Sequence, residues 1–280
     1  MLVADPIHFR AWRAELSLDY ERRGARTVLA ARRHDGPLVV QKVLYPEGDA
    51  VCHSIIVHPP AGIAGGDELE INVCAGASAH ALLTTPGAAK WYRSAGPWAR
   101  QDISLSVAGS ACVEWLPQET IVFNGARARS SIDVRLCADA AYIGWEILCL
   151  GRGASGERFM SGEFRPRTQL TRDGVPLWVE RGRIAGGGAL LDSPAGLAGC
   201  TVCATLLAAA PRVNKELLDA CREERPANGR AAITMLPGVL AARYLGDSSE
   251  TARIYFTRLW RKIRPVLTGR EAIPPRIWST

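Results

Sequence analysis

Two periods of hydrophobicity divide the chain. Over about the first 205 residues apolar side chains recur at every second position, and two later segments repeat every three to four. Leu69, Ile71 and Val73 alternate with Glu68, Glu70 and Asn72, and Ile103, Leu105 and Val107 alternate with polar neighbours, as in half-buried strands. The same reading predicts a strand around Trp12, Leu16 and Leu18, and others over 27–31, 38–44, 51–57, 79–83, 111–116, 131–136, 142–150, 168–171, 175–180 and 239–245. Turn residues separate them. His34-Asp35-Gly36-Pro37 is expected to pair 27–31 with 38–44, Ala75-Gly76 to close a hairpin returning through 79–83, and Arg172-Asp173-Gly174 to close another.

A faint repeat runs through this region. Val73-Cys74-Ala75-Gly76-Ala77, Val107-Ala108-Gly109-Ser110-Ala111 and Leu136-Cys137-Ala138-Asp139-Ala140 each lie between two predicted strands, about 30 residues apart. Three such segments in step predict stacked strand units sharing one core. Helical spacing enters late, first with Val213, Leu217, Ala220 and Cys221. Ala252, Phe256, Leu259, Trp260 and Ile263 then form a second stripe, with Arg253, Thr257, Arg261 and Arg264 assigned to the opposite, polar side. Asp247 and Glu250 have capping-box spacing, and Pro265 is expected to end or kink this helix. The predicted fold is mainly β, with stacked strands in a solenoid-like (β-helical) arrangement and two α-helices near the C-terminus. One domain spans 1–280, its β body covering about 12–205 and a helix-containing part about 206–280.

The densest signals lie in 58–94. Pro59-Pro60 stiffens the entry, and Gly62, Gly65 and Gly66 free the backbone. Asp67 and Glu68 follow, and Lys90, Trp91, Tyr92 and Arg93 close the stretch. Gly65 and Gly66 are expected to serve backbone geometry rather than ligand contact. The loop is no phosphate cradle, because acids and a strand follow where a Lys-Ser/Thr pair opening a helix is needed.

Composition narrows the function classes. The net charge of +6 is carried almost wholly by scattered arginines, without the dense basic run that nucleic-acid binding calls for. The first twelve residues lack the apolar core of a signal peptide, and 195–210 is too short and too rich in small residues to span a bilayer. Eight cysteines in such a chain are expected to be reduced thiols of a cytoplasmic protein. Cys200 and Cys203 have half of a zinc-knuckle spacing with no second half. Cys52 and His53 point to opposite faces of one strand. No Ser–His–acid or Cys–His set emerges. Glu146 and Glu180 sit in apolar, strand-like surroundings, either turned to solvent or held in a polar cavity where they could meet a cation.

The segments HPPAGIAGGDELE, LLTTPGAAKWYRS, EWLPQETIVF, LCLGRGASGERF and the terminal PPRIWST, in this order, resemble the urease accessory protein UreD (UreH) family. The resemblance runs from about Trp12 to Thr280. It implies a mostly β, solenoid-like fold with two helices and a non-catalytic maturation factor. Such a factor complexes with UreF and UreG on the urease apoprotein and assists nickel insertion into the active site. It further implies transit of Ni²⁺, with no tightly bound cofactor, through a polar internal tunnel; the matching positions here are Asp67, Glu68, Glu146 and Glu180. Oxygen ligands would hold Ni²⁺ loosely enough for transit. The alternative class is a small-molecule enzyme using the acidic residues of the Gly62–Glu68 turn, which the missing nucleophile–base pair disfavours.

Overall fold

The computed structural model describes residues 11–279, so the signal-peptide reading of 1–10 lies outside the described residues. The strands of the first half are β1 (Arg13–Arg23), β2 (Arg26–Asp35), β3 (Val39–Leu44), β4 (Cys52–Val57), β5 (Glu68–Ala75), β6 (His80–Thr84), β7 (Ala89–Trp91), β8 (Ala99–Val107) and β9 (Cys112–Trp115). Then come β10 (Thr120–Val122), β11 (Arg127–Leu136), β12 (Ala141–Leu150), β13 (Glu163–Arg172), β14 (Val175–Arg181) and β15 (Ile184–Ala185). A single helical turn, α1 (Ala189–Asp192), precedes β16 (Val202–Ala209). Helix α2 (Lys215–Arg222), strands β17 (Arg230–Leu236) and β18 (Val239–Gly246), and helix α3 (Ser249–Thr268) complete the order.

The chain shuttles between two sheets. One has the order β14-β13-β11-β8-β5-β1-β2, with β15 beside β13; the other runs β17-β18-β16-β12-β9-β6-β4-β3, with β10 beside β12 and β7. Within the first sheet β1, β5, β8, β11 and β13 are all parallel, as are β4, β6, β9 and β12 in the second. Each strand therefore pairs with one from the coil before it, which is the stacked, solenoid-like architecture expected from the repeat. Inward positions stack in register: Leu16, Ile71, Ile103 and Ile132 form one column, and Leu18, Val73, Leu105, Val134 and Leu170 the next. These side chains and their counterparts on the second sheet fill the core between the layers.

The three repeated segments are the corners of successive coils. Backbone N–H groups of Gly76, Ala108, Cys137 and Asp173 donate to the carbonyls of Tyr20, Ala75, Val107 and Leu136, one coil earlier each time. Asp139 accepts from the Ser110 amide at 2.7 Å and Asp173 from the Ala138 amide at 2.9 Å, so each acid braces the corner before it. Ala75-Gly76 accordingly passes the chain to the opposite sheet instead of closing a hairpin, and the same holds for Asp35-Gly36. The true partner of β2 is β1, around Gly24, and that of β3 is β4. Period-two alternation is the same for a hairpin partner as for a strand in the facing layer, so local pattern does not separate the two. The hairpin at Asp173-Gly174 forms as expected.

A second apolar cluster lies on the outer face of the second sheet, beneath α2 and α3. Asn214 caps α2 through the Leu217 amide at 2.9 Å. Ser248 caps α3 through Thr251, because the expected cap, Asp247, is occupied by the amide and hydroxyl of Thr201. Pro265 lies within the last turn, and the helix runs on to Thr268 before Gly269 ends it in a left-handed conformation. Phe256, Leu259, Trp260 and Ile263 are wholly buried, as the stripe predicts.

Arg264 departs from its assigned polar face and is fully buried. Its Nε donates to Glu114 Oε1 at 2.9 Å, and its two terminal nitrogens donate to the carboxylate oxygens of Glu47 at 2.7 and 2.8 Å. His80 lies 2.7 Å from Glu114 Oε1, His53 lies 2.5 Å from Glu47 Oε1, and Trp260 Nε1 donates to Glu114 Oε2 at 2.6 Å. Burial pushes the Glu114 carboxyl up, but the His80, Arg264 and Trp260 contacts outweigh it and hold it at about 2. A guanidinium between two carboxylates satisfies what the helical period places on the wrong side.

Replacing Arg264 with alanine strands two buried carboxylates and is expected to cost about 3–5 kcal/mol in urea denaturation. Adding Glu114→Gln to that variant is expected to recover part of the loss. Trp260→Ala, which empties a buried indole site, is expected to cost about 3–5 kcal/mol by the same assay.

Candidate functional site

Polar side chains interrupt two neighbouring inward columns of the stack. In the first sheet Gln101 and Ser130, in register with each other, and Thr168, in register with Ile132 one inward step further along, occupy inward positions otherwise held by Leu, Ile and Phe. In the second, Glu146 of β12 pairs with Thr205 of β16, which pairs with Arg243 of β18. Strand alternation places Glu146 inward because its neighbours Trp145 and Ile147 pack outward under the helices. The two sheets are joined here across the core, where Thr168 Oγ1 donates to Glu146 Oε2 at 2.9 Å. Glu180 lies beside Thr168 in register and pairs with Arg243 at 2.9 Å.

Two cavities meet at Glu146. One of about 490 Å³ is lined by Glu146, Thr168, Glu180, Thr205 and Arg243 among others; the second, of about 230 Å³, is lined by His58, Lys90, Gln101, Gln118 and Ser130. Thr120, Ile132 and Glu146 line both. Burial is the main cause that pushes the Glu146 carboxyl up to about 7; the Thr168 hydrogen bond draws it down and the charge of Glu180 pushes it further up. The carboxyl at the junction thus holds its proton more tightly than an ordinary carboxyl does.

Of the four residues predicted from sequence, Glu146 and Glu180 come together on one cavity, while Asp67 and Glu68 stand apart from it. Asp67 accepts from the Trp12 amide at 2.9 Å and the Ala64 amide at 2.8 Å, one on each oxygen, and so braces the glycine-rich loop. Glu68 is exposed on the outer face of the first sheet, in register between Arg13 and Arg100. The acidic turn considered as an enzyme site therefore has its aspartate committed to backbone amides. The loop itself borders the smaller cavity through Ala61, Gly62 and Ile63. It is tied to the far end of the 58–94 stretch: the Ile63 amide donates to the Lys90 carbonyl at 2.7 Å and Tyr92 to Ile63 at 2.9 Å. A Cβ at Gly65 would lie 2.4 Å from Ser94 Oγ, and Gly66 has φ +98°, so close approach requires the first glycine and backbone conformation the second.

Gln101, Ser130 and Thr168 escaped the sequence reading. Their signal is present, since each is a polar residue on the apolar phase of an alternating strand, but it becomes legible only when the coils are aligned.

Comparison with known proteins decides the family. A family described as UreD urease accessory protein matches residues 13–279. The urease accessory protein UreD of Azoarcus sp. (strain BH72) is 58% identical over 269 residues, covering 96% of this chain and 94% of the relative. That of Dechloromonas aromatica (strain RCB) is 55% identical over 282 residues, covering 99% and 98%. The chain belongs to the UreD urease accessory protein family. The matched span includes every polar residue of the two cavities described above. No described helix of this UreD-family chain is long and apolar enough to cross a membrane.

The raised Glu146 carboxyl gives a pH signature. Its folded value of about 7 lies above the ordinary carboxylate range, so its contribution to stability is fully present below that range and is lost as pH rises through about 7. Glu146→Gln removes this dependence. Relative to wild type, the variant is expected to gain on the order of 1–3 kcal/mol between pH 5 and pH 8, read from urea midpoints at each pH. A constant difference across that range would contradict the raised value.

Proposed function

We propose that this chain is a non-catalytic maturation factor that assembles with UreF and UreG on the urease apoprotein in the cytoplasm, and that its β body conducts Ni²⁺ toward the urease active site. The supporting observation is Glu146, shared by two cavities, with a carboxyl that burial pushes up to about 7. In this reading Ni²⁺ is cargo. Such a carboxyl gives up its proton when a divalent ion arrives and takes one back when the ion leaves. Oxygen donors from Glu146, Thr168 and Glu180 bind such an ion more loosely than thiolates do, which favours passage over storage. Glu180 is paired with Arg243, so the carboxylate is balanced while the passage is empty.

The test is Glu146→Lys, co-expressed with urease subunits and UreF. An ammonium about 4 Å from the path repels each unit of charge by about 4 kcal/mol at an effective dielectric of 20, and a divalent ion by about twice that. Matured urease is expected to lose most of its nickel and activity, while pull-down of UreF and urease is unchanged, because Glu146 is inside the fold. Full nickel loading with the variant would remove the conduit role from Glu146, and lost assembly would make the residue structural.

A further inference from the structure

Sheet alternation that turns Glu146 inward turns another set of side chains outward, toward α3. His80 of β6 and Cys112 of β9 are register neighbours, and Glu114 is two residues beyond Cys112 on the same face. One ligand atom from each (a ring nitrogen, the thiol sulfur and a carboxylate oxygen) lies within 4.8 Å of the others, and all three residues are buried. We propose that His80, Cys112 and Glu114 form a binding site for one divalent transition-metal ion of the zinc class, on the opposite side of the second sheet from the Glu146 passage.

Three features carry this. The first is the donor set: one imidazole, one thiol and one carboxylate select a borderline-soft ion over Mg²⁺ or Ca²⁺ and leave a fourth coordination position free. Bonds of about 2.0–2.3 Å in a tetrahedron need ligand atoms about 3.3–3.8 Å apart, so on loading the His80–Glu114 pair opens from 2.7 Å and any wider ligand separation closes by up to about 1 Å. The second is the lone pair that Glu114 shares with His80. Glu114 Oε2 is taken by Trp260 and one side of Oε1 by Arg264; the remaining side of Oε1 faces His80 Nε2 at 2.7 Å. A metal replaces the hydrogen of that bond without disturbing Arg264 or Trp260.

The third is charge. Glu47, Glu114 and Arg264 together carry one net negative charge when both histidines are neutral. Cys112 is buried beside them. On binding, Cys112 S–H releases its proton to solvent, a metal–sulfur bond forms, and His80 shifts its remaining proton to Nδ1. A dication and one thiolate add a net single positive charge, and the cluster becomes neutral. The offsetting of Arg264 by Glu47 is what makes a dication tolerable so near a guanidinium.

The experiment uses the full chain, stripped of metal and titrated with Co²⁺ as an optical probe, then with Zn²⁺ in competition. One equivalent of Co²⁺ is expected to bind with a near-ultraviolet sulfur-to-cobalt charge-transfer band, and Zn²⁺ is expected to abolish it. Cys112→Ser is expected to remove the band. His80→Gln, which keeps a donor for Glu114, is expected to weaken binding at least tenfold. Circular dichroism and melting of both variants establish that they fold; Glu114 is left intact because it anchors Arg264. Cys203→Ser and Glu146→Lys are expected to leave the band unchanged, the latter separating this site from the nickel passage. A band that survives Cys112→Ser, a band lost in Cys203→Ser, or no band at one equivalent would each overturn the assignment.

Discussion

The buried guanidinium of Arg264 is the interaction on which the helical layer depends. Five donors in a fixed fork suit two carboxylates at once, and here they reach Glu114 on β9 and Glu47 in the turn before β4. Without the cation these acids would face burial alone, at a cost of several kcal/mol each. Without the acids α3 would bury a charge against a sheet. Each partner makes the other tolerable, and together they fix where α3 sits along the sheet. Trp260 adds a hydrogen bond to Glu114 and an apolar surface to the cluster, so polar anchoring and hydrophobic burial act at the same point.

That docking has consequences on the other side of the sheet. A strand buried on both faces assigns its side chains strictly by parity. Trp145 and Ile147 go outward beneath α3, where Trp145 meets Phe256 and Trp278, and Glu146 is thereby committed inward. A carboxyl held there has little compensation beyond Thr168, which is why its pKa rises, in contrast to Glu114 on the neighbouring strand. One sheet thus carries two acidic sites of opposite character. On its outer face a carboxylate is over-satisfied and permanently charged; on its inner face another is under-satisfied and titrates near neutrality.

The glycine-rich stretch serves the inner side. Its two ends meet through the Ile63 and Lys90 backbones, and Asp67 braces the loop by accepting two amides. The result is a stiff rim along the smaller cavity, built where side chains at Gly62 or Gly65 would strike Tyr92 or Ser94. Charge at this loop shapes the backbone, while the carboxylates that line the larger cavity belong to Glu146 and Glu180.

The amino-acid pattern alone determined most of the longer strands, though not β16 or β17, and the corner segments at about 30-residue intervals, the apolar stripe of α3 and the stacked architecture, because each depends on side-chain period and local turn chemistry. It also singled out Glu146 and Glu180 as carboxylates in apolar strands. What only tertiary structure decided was partnership. Whether Ala75-Gly76 closes a hairpin or turns a corner depends on which strand lies alongside, and β1 and β8, not β6, flank β5. Arg264 reads as a solvent-facing residue until Glu47 and Glu114, more than a hundred residues away, are brought against it. Gln101, Ser130 and Thr168 each look like an irregularity in one strand and become a polar region only when the stacked coils bring them to the two cavities that share Glu146. Period is written locally and survives in the sequence; the pairing of distant charges and the alignment of coils arise only when the chain closes on itself.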